Sequence, residues 1–164
     1  LLRTLGADKL VLPFVVTDNS LDALDSMASI APNSLHRWAG LASSAATNKE
    51  VVAPVINIPK RYDQLAARVQ HYRGSPPQTP EDLLAFLEHF DAFRQSSQLA
   101  DGLVVLGAID ESFHKTQVAR IERGNQLLAS IRGEQFMQQG LKGPEIKAAI
   151  SAERLRQLNA LMDD

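Results

Sequence analysis

Hydrophobic residues recur along most of the chain with the spacing of an α-helix, and no stretch alternates apolar and polar residues as a half-buried strand would. The helical segments are residues 20–31, 34–41, 60–72, 80–93, 98–113, 115–132 and 144–161, with a short one that ends at Gly140. In the segment VVAPVINIP, Pro54 and Pro59 favour an extended connector over a central strand. We therefore predict an all-α protein, an array of about seven or eight helices without a repeat of fixed period.

Residues typical of helix ends support several of these boundaries. Asn33 or Ser34 can cap the second helix, and Thr79-Pro80 is a strong start because a Thr cap precedes Pro at the first helical position. Near the C-terminus, Gly140 can end one helix and Pro144 can begin the next. The apolar face predicted for the first helix holds Leu21, Leu24, Met27 and Ala28.

Composition narrows the class of protein. Hydrophobic residues make up 45% of the chain, which excludes a disordered polypeptide. The absence of cysteine excludes a disulfide framework, a thiolate zinc site and a cysteine nucleophile, and it fits a reducing compartment. The longest apolar runs, such as Leu103–Ile109, fall far short of the ~20 residues needed to span a bilayer.

The net charge of −2 hides an uneven distribution of charge. Residues 60–75 carry +3, residues 76–114 carry −6, and residues 115–164 carry +2. The total argues against a strongly basic nucleic-acid binder. The two basic segments, which flank the acidic one, are candidates for local contacts with phosphates.

Few residue patterns indicate catalysis. The four histidines show no metal-binding spacing, and surface or helix-end positions explain them best. Gly74-Ser75 is similar to the glycine-serine turn of nucleotidyltransferases, but the Asp-x-Asp pair that would hold two magnesium ions occurs nowhere in the chain. No G-x-S-x-G nucleophile elbow is present either.

The turn between the last two predicted helices is the better candidate for binding. Lys142 and Gly143 lie at a helix N-terminus, where free N–H groups and the helix dipole favour a phosphate. Glycine would let an RNA backbone come close, and the lysine would add a positive charge. The alternative is a tight helix–helix turn without a ligand.

Four stretches in sequence order resemble the C-terminal part of bacterial class II tRNA nucleotidyltransferases, the CCA-adding enzymes, in the form that carries an HD domain. They cover roughly residues 33–162 and read LHRWAGLASSAA, INIPKRYDQLAARVQHY, EDLLAFLEHFDAFRQSSQLADGLVVLGAIDE and GLKGPEIKAAISAERLRQLNAL. The first resembles the family helix R-F-A-x-L-x-H-D-x-G-K, the second a basic-proline connector with its following helix, the third the body segment, and the fourth the tail.

Two departures from the family pattern limit what the resemblance implies. Ser43 and Ser44 stand where the metal-binding His and Asp of the HD motif would be, and hydroxyl groups cannot replace those ligands. Glu81-Asp82 resembles the start of the base-reading E-D-x-x-R motif, but Ala85 replaces the arginine, so we interpret the pair as a helix cap. Because of Ser43 and Ser44, we do not expect the phosphohydrolase activity of HD-bearing members here.

The chain begins at Leu1 without a methionine, and we expect it to be part of a longer protein whose N-terminal catalytic head lies upstream. The resemblance then implies three regions. Residues 1–59 would be a degenerate HD-like region without metal ligands, residues 60–114 the helical body, and residues 115–164 the helical tail. The magnesium-dependent chemistry would belong to the head, so no catalytic residue, metal or cofactor is expected in this chain.

By resemblance, the parent enzyme adds CCA to tRNA 3′ ends from CTP and ATP, and this part would grip the acceptor stem and the elbow of the tRNA. Duplex RNA is held by shape and phosphate contacts, so a few well-placed Lys and Arg side chains suffice. The residues predicted to contact phosphates are Lys142, Gly143, Lys147, Arg120, Arg123, Arg61, Arg68 and Arg73. We expect a cytoplasmic protein that contacts its own head domain and no membrane, with a homodimer left open.

Three alternatives remain at this point. The chain could be the corresponding region of a bacterial poly(A) polymerase, which differs in the head. It could also be a stand-alone helical module that binds another protein, and the small net charge favours this hypothesis. An HD-type phosphohydrolase is disfavoured by Ser43 and Ser44.

Overall fold

A computed structural model describes residue 12 and residues 14–30, 33–47 and 57–163 of the chain. The elements in order are β1 (Phe14–Val15), α1 (Asp18–Ile30), α2 (Ser34–Ser43), β2 (Ala46–Thr47), α3 (Lys60–Tyr72), α4 (Pro80–His89), α5 (Ser96–Ile109), a 3-10 turn (Glu111–Phe113), α6 (Lys115–Leu128), α7 (Gly133–Met137) and α8 (Pro144–Asp163). The described ranges thus hold eight α-helices and one short antiparallel pair, β1 with β2. The predicted all-α class is confirmed. Most of the VVAPVINIP connector lies outside the described residues.

The chain forms two compact units. The first comprises the described residues up to Gly74 together with residues 100–113, and the second comprises residues 75–99 and 114–164. Helix α5 therefore begins in one unit and ends in the other. The three functional regions predicted from the resemblance stay a prediction, because compactness does not report on their roles.

In the first unit, α2 packs against both α1 and α3. Met27 of α1, Ala39 of α2 and Val69 of α3 are fully buried there. Near β1, the ring of Phe14 lies 5.3 Å from the ring of Trp38. The predicted boundaries of α3 are confirmed, and so is the cap of α2, where the Asn33 side chain accepts a hydrogen bond from the Leu35 amide.

In the second unit, α8 packs against α4, α6 and α7, and α4 also contacts α6. The core of this unit is made by large side chains with almost no exposed surface. They are Leu83, Phe86, Leu87, Phe90, Ile121, Leu128 and Leu158.

Helix α4 begins as predicted and ends earlier than predicted. The Thr79 side chain accepts from the Asp82 amide, and the Asp82 carboxylate accepts from the Thr79 amide, which completes a capping box. These hydrogen bonds hold the pKa of Asp82 below its usual value. At the other end, the apolar pattern continues to Phe93, but Asp91 adopts a φ of 51° and stops the helix.

The stop at Asp91 is a Schellman motif. The amide of Ala92 donates to the carbonyl of Leu87, and the amide of Asp91 donates to the carbonyl of Glu88. Glycine usually takes the left-handed position of this motif, and an aspartate there is uncommon. The prediction of a helix through Phe93 was wrong for this reason.

Three further details differ from the prediction. In α1, Met27 is buried, but Leu21 is 37% exposed and Ala28 is exposed, so the predicted apolar face was only partly right. Helix α5 ends at Ile109, where the Asp110 carboxylate accepts from the amide and the hydroxyl of Ser112 and starts the 3-10 turn. Helix α6 ends at Leu128 rather than at residue 132.

Candidate nucleic-acid interface

The turn that precedes α8 has the local structure predicted for it. Gly140 and Gly143 have positive φ values of 88° and 49°, and Pro144 begins the helix. The amide of Leu141 donates to the carbonyl of Phe136 across the end of α7. A Cβ atom at Gly143 would meet no atom within 4 Å, so backbone conformation rather than packing requires glycine here.

The amide of Lys142 is already used within the chain. It donates to the Glu145 carboxylate over 3.1 Å, and the Glu145 amide donates back to the Lys142 carbonyl. A carboxylate therefore occupies the place predicted for a phosphate at this amide. Contact with RNA would have to come from the Lys142 side chain and from the open backbone at Gly143.

Two lysines of this region reach solvent freely. Lys142 in the turn and Lys147 in the second turn of α8 are both exposed. Among the described residues, neither amine forms a salt bridge. Their charges are thus available to an external anion, and the phosphate contacts of both residues stay a prediction.

Arg120 and Arg123 lie on α6 in different surroundings. The Arg120 guanidinium donates to the carbonyl of Pro77, and the side-chain amide of Gln117 donates to the same carbonyl over 2.9 Å. Arg120 thereby ties α6 to the segment before α4. Arg123 is exposed and forms no ion pair within the described part of the chain.

This difference gives a prediction for stability. We expect Arg120→Ala to lower the free energy of unfolding by about 1 kcal/mol, because the Pro77 carbonyl loses a charged donor. Arg123→Ala makes the same chemical change at an exposed position and should stay within about 0.5 kcal/mol of wild type. Urea denaturation followed by circular dichroism measures both. Equal stabilities of the two variants would contradict the structural role of Arg120.

Arg61, Arg68 and Arg73 belong to the first unit, on α3 and directly after it. Arg61 is exposed, with its guanidinium 5.3 Å from the centre of the Tyr62 ring. Arg68 and Arg73 are half-buried. The Tyr62 hydroxyl lies 2.8 Å from the Ser34 hydroxyl, and this bond is the main cause of a lowered pKa of Tyr62.

Arg73 lies in the electrostatic field of an acidic group. Burial raises the pKa of Asp110, but hydrogen bonds from Ser112 and from the Gly74 amide, together with the charge of Arg73, outweigh it and hold that pKa below its usual value. The Gly74 amide donates to Asp110 over 2.5 Å, and Gly74 has a φ of 73°. Gly74 therefore belongs to a turn held by Asp110.

The positions that align with the HD ligands do not suit a metal. Ser43 and Ser44 are buried, and the Ser43 hydroxyl donates to the carbonyl of Gly40. The Ser44 hydroxyl finds no hydrogen-bond partner in the described ranges. Over the same ranges, no group of three His, Asp or Glu residues is arranged to hold a metal ion.

His36 lies in the first turn of α2, one of the helix-end positions that the sequence predicted for the histidines. It is buried rather than superficial, and its Nε2 lies 2.7 Å from a carboxylate oxygen of Asp101. His114 also lies at a helix end, where its Nδ1 accepts from the Gln117 amide and caps α6. The pairing of His36 with Asp101 joins α2 to the part of α5 that belongs to the first unit, and spacing along the chain could not have revealed it.

None of the helices in the described residues is long and apolar enough to cross a membrane. No protein-family model matches the chain, and no solved structure matches it either. Over 112 residues the chain is similar to the Multifunctional CCA protein of Alkalilimnicola ehrlichii, with 31% identity. The match covers 63% of this chain and 25% of the relative, so the chain spans about a quarter of the length of the curated relative it matches. This similarity supports the relationship to CCA-adding enzymes that the four sequence stretches indicated.

Proposed function

We propose that this chain is the C-terminal part of a tRNA nucleotidyltransferase that adds CCA, and that it binds and positions the tRNA. The observation that carries the proposal is the similarity over 112 residues to a Multifunctional CCA protein. The all-α fold agrees with the body and tail that the resemblance implied. Catalysis in this proposal belongs to an N-terminal head outside the 164 residues, which would hold the magnesium.

The proposed RNA contacts rest on exposed basic side chains. In the second unit these side chains are Lys142, Lys147 and Arg123. In the first unit, Arg61 is the most exposed of the basic residues predicted to contact RNA. A protein that holds duplex RNA by phosphate contacts needs only a few such groups, because each neutralised phosphate releases condensed counterions. A net charge of −2 is therefore compatible with tRNA binding.

The remaining partners follow from the same proposal. The chain would contact its own head domain, act in the cytoplasm with the tRNA pool, and need no cofactor of its own. Because Ser43 and Ser44 cannot replace the His and Asp ligands of the HD motif, metal-dependent phosphohydrolase activity is not part of the proposed function.

A lysine variant tests the tail contact. Lys142→Ala should weaken binding of the 164-residue chain to tRNA several-fold at low salt. It should also flatten the log–log slope of affinity against salt by about 0.9 or less, the share of one phosphate contact. Fluorescence anisotropy of labelled tRNA at several KCl concentrations measures both quantities.

Lys115→Ala is the matched control. Lys115 is an exposed lysine at the start of α6 with no proposed contact to RNA, and its removal changes the net charge by the same amount. We expect its affinity and slope to stay close to those of wild type. An unchanged slope in Lys142→Ala, or an equal change in Lys115→Ala, would contradict the proposed contact.

A further inference from the structure

A cavity of about 490 Å³ lies within the second unit. Its wall is built from the segment between α4 and α5, the end of α6, residues 131–134 and the middle of α8. Three arginines line it, Arg94, Arg132 and Arg154, against a single acid, Glu134. None of these arginines was among the basic residues predicted from the sequence to contact RNA.

Arg154 is the most buried of the three. Its guanidinium carbon lies 3.5 Å from the centre of the Phe93 ring, and its side chain is only 14% exposed. The nearest carboxylate oxygen, on Glu88, is 4.0 Å away, and the Arg154 Nε finds no acceptor among the described residues. A largely buried cation therefore keeps an unused donor, which is a costly state for a charged group.

The other two arginines are exposed and weakly held. The Arg94 side chain is 81% exposed and lies 3.9 Å from Asp91. Arg132 immediately precedes α7, is exposed, and forms no ion pair within the described ranges. Both guanidinium groups can turn toward a ligand in the cavity without breaking a strong interaction.

We propose that this cavity binds the phosphate group of a nucleotide unit. Arginine forks match phosphate oxygens in geometry and charge, and three of them around one space favour a phosphate. The volume exceeds that of a phosphate alone and falls within the ~300–1,000 Å³ usual for small-molecule sites. Ser96 and Asn125 offer polar contacts to a sugar or base, while Leu128, Ile131 and Ile150 offer apolar ones.

The proposal does not depend on the RNA role argued above, because it rests on a different set of residues. Two kinds of ligand carry such a phosphate group. One is the terminal phosphate of a free nucleotide, and the other is a backbone phosphodiester of an RNA strand. An acidic peptide is a different class of ligand, and the experiment treats it as a competing outcome.

The test uses the 164-residue chain and NMR titrations with AMP, with a short RNA oligonucleotide that lacks terminal phosphates, and with a poly-glutamate peptide. We expect saturable shifts of the arginine side-chain N–H signals and of the amides of residues 131–134 with AMP or with the oligonucleotide. Tighter binding of AMP indicates a free nucleotide as the source, and tighter binding of the oligonucleotide indicates an RNA strand.

Variants then identify the groups that bind. Arg132→Gln should weaken the affinity for the better of the two phosphate ligands about tenfold, the usual loss for one charge-assisted contact. Arg154→Lys keeps the charge but loses the fork and the stacking on Phe93, and it should weaken binding similarly while the fold is retained by circular dichroism. Arg156→Gln is the control, because Arg156 is an exposed arginine of the same helix that pairs with Glu153 and lies outside the cavity.

Three results would overturn the proposal. They are the absence of shifts at residues 131–134 with both phosphate ligands, an equal loss of affinity in Arg132→Gln and Arg156→Gln, and binding of poly-glutamate as tight as that of the phosphate ligands. Lys142→Ala separates this proposal from the RNA proposal, since we expect it to leave AMP binding unchanged.

Discussion

Phe86→Ala should lower the free energy of unfolding by about 3–5 kcal/mol, the usual loss when a fully buried aromatic residue is truncated. Phe86 of α4 has no exposed surface, and its ring centre lies 4.8 Å from that of Phe90. The variant removes a large apolar area and leaves a cavity at the centre of the second unit. Since a domain of this size is stable by only about 5–15 kcal/mol, the loss is a large share of the total.

Urea denaturation followed by circular dichroism measures this effect. Phe136→Ala is the matched control, because Phe136 of α7 is half-buried and the chemical change is the same. Its loss should be less than half of that of Phe86→Ala. Similar midpoints for the two variants would show that the core of the second unit lies elsewhere.

Gly124→Val should destabilise the protein by at least about 2 kcal/mol because it overpacks the place where α4, α6 and α8 meet. A Cβ atom at Gly124 would lie 3.0 Å from Leu83 Cδ2 and 3.4 Å from Leu158 Cδ2. Leu83 and Leu158 are themselves fully buried, so neither can move aside cheaply. The extra methyl groups of valine would press further into the same side chains.

Gly124→Ala serves as the internal comparison. Alanine gains about 1 kcal/mol over glycine in helix propensity, and the tight contact with Leu83 offsets part or all of that gain. We therefore expect its stability to lie within about 1 kcal/mol of wild type, measured by the same denaturation. A valine variant as stable as the alanine variant would contradict the close approach of the helices at this position.

Helix starts were predictable because their chemistry is local. Thr79 and Asp82, or Asn33 with the Leu35 amide, lie within a few residues of each other, so the capping pattern is visible in the sequence. Pro144 likewise marked the start of α8. Helix ends were less predictable: the apolar pattern around Asp91 and around residue 131 continues across a break in the helix.

Ile131 shows why the hydrophobic periodicity predicted a longer α6 than the structure has. Ile131 is buried although α6 has already ended at Leu128, so its apolar character serves packing outside a helix. Leu21 shows the converse, an apolar residue on the predicted inner face of α1 that is substantially exposed. Tertiary contacts determine how deeply both residues are buried, and the local sequence does not reveal those contacts.

The same distinction between local chemistry and tertiary contacts applies to the candidate sites. The turn from Gly140 to Pro144 was predictable because glycine and proline act through their own backbones. The contact of Arg120 with Pro77, 43 residues apart, was not, and neither was the pair of His36 and Asp101, 65 residues apart. The three arginines of the cavity come from separate segments between residues 94 and 154, so only the folded chain brings them to one space.

The proposed function requires that this chain bind tRNA through phosphate contacts and the shape of the RNA. Its most direct test is equilibrium binding of the 164-residue chain to tRNA and to a DNA duplex of equal charge, at KCl concentrations from low to physiological. We predict saturable binding of tRNA at low salt that weakens steeply as salt rises, with tRNA preferred over DNA at every concentration. Absence of tRNA binding at low salt, an affinity that does not depend on salt, or equal binding of DNA would contradict the claim.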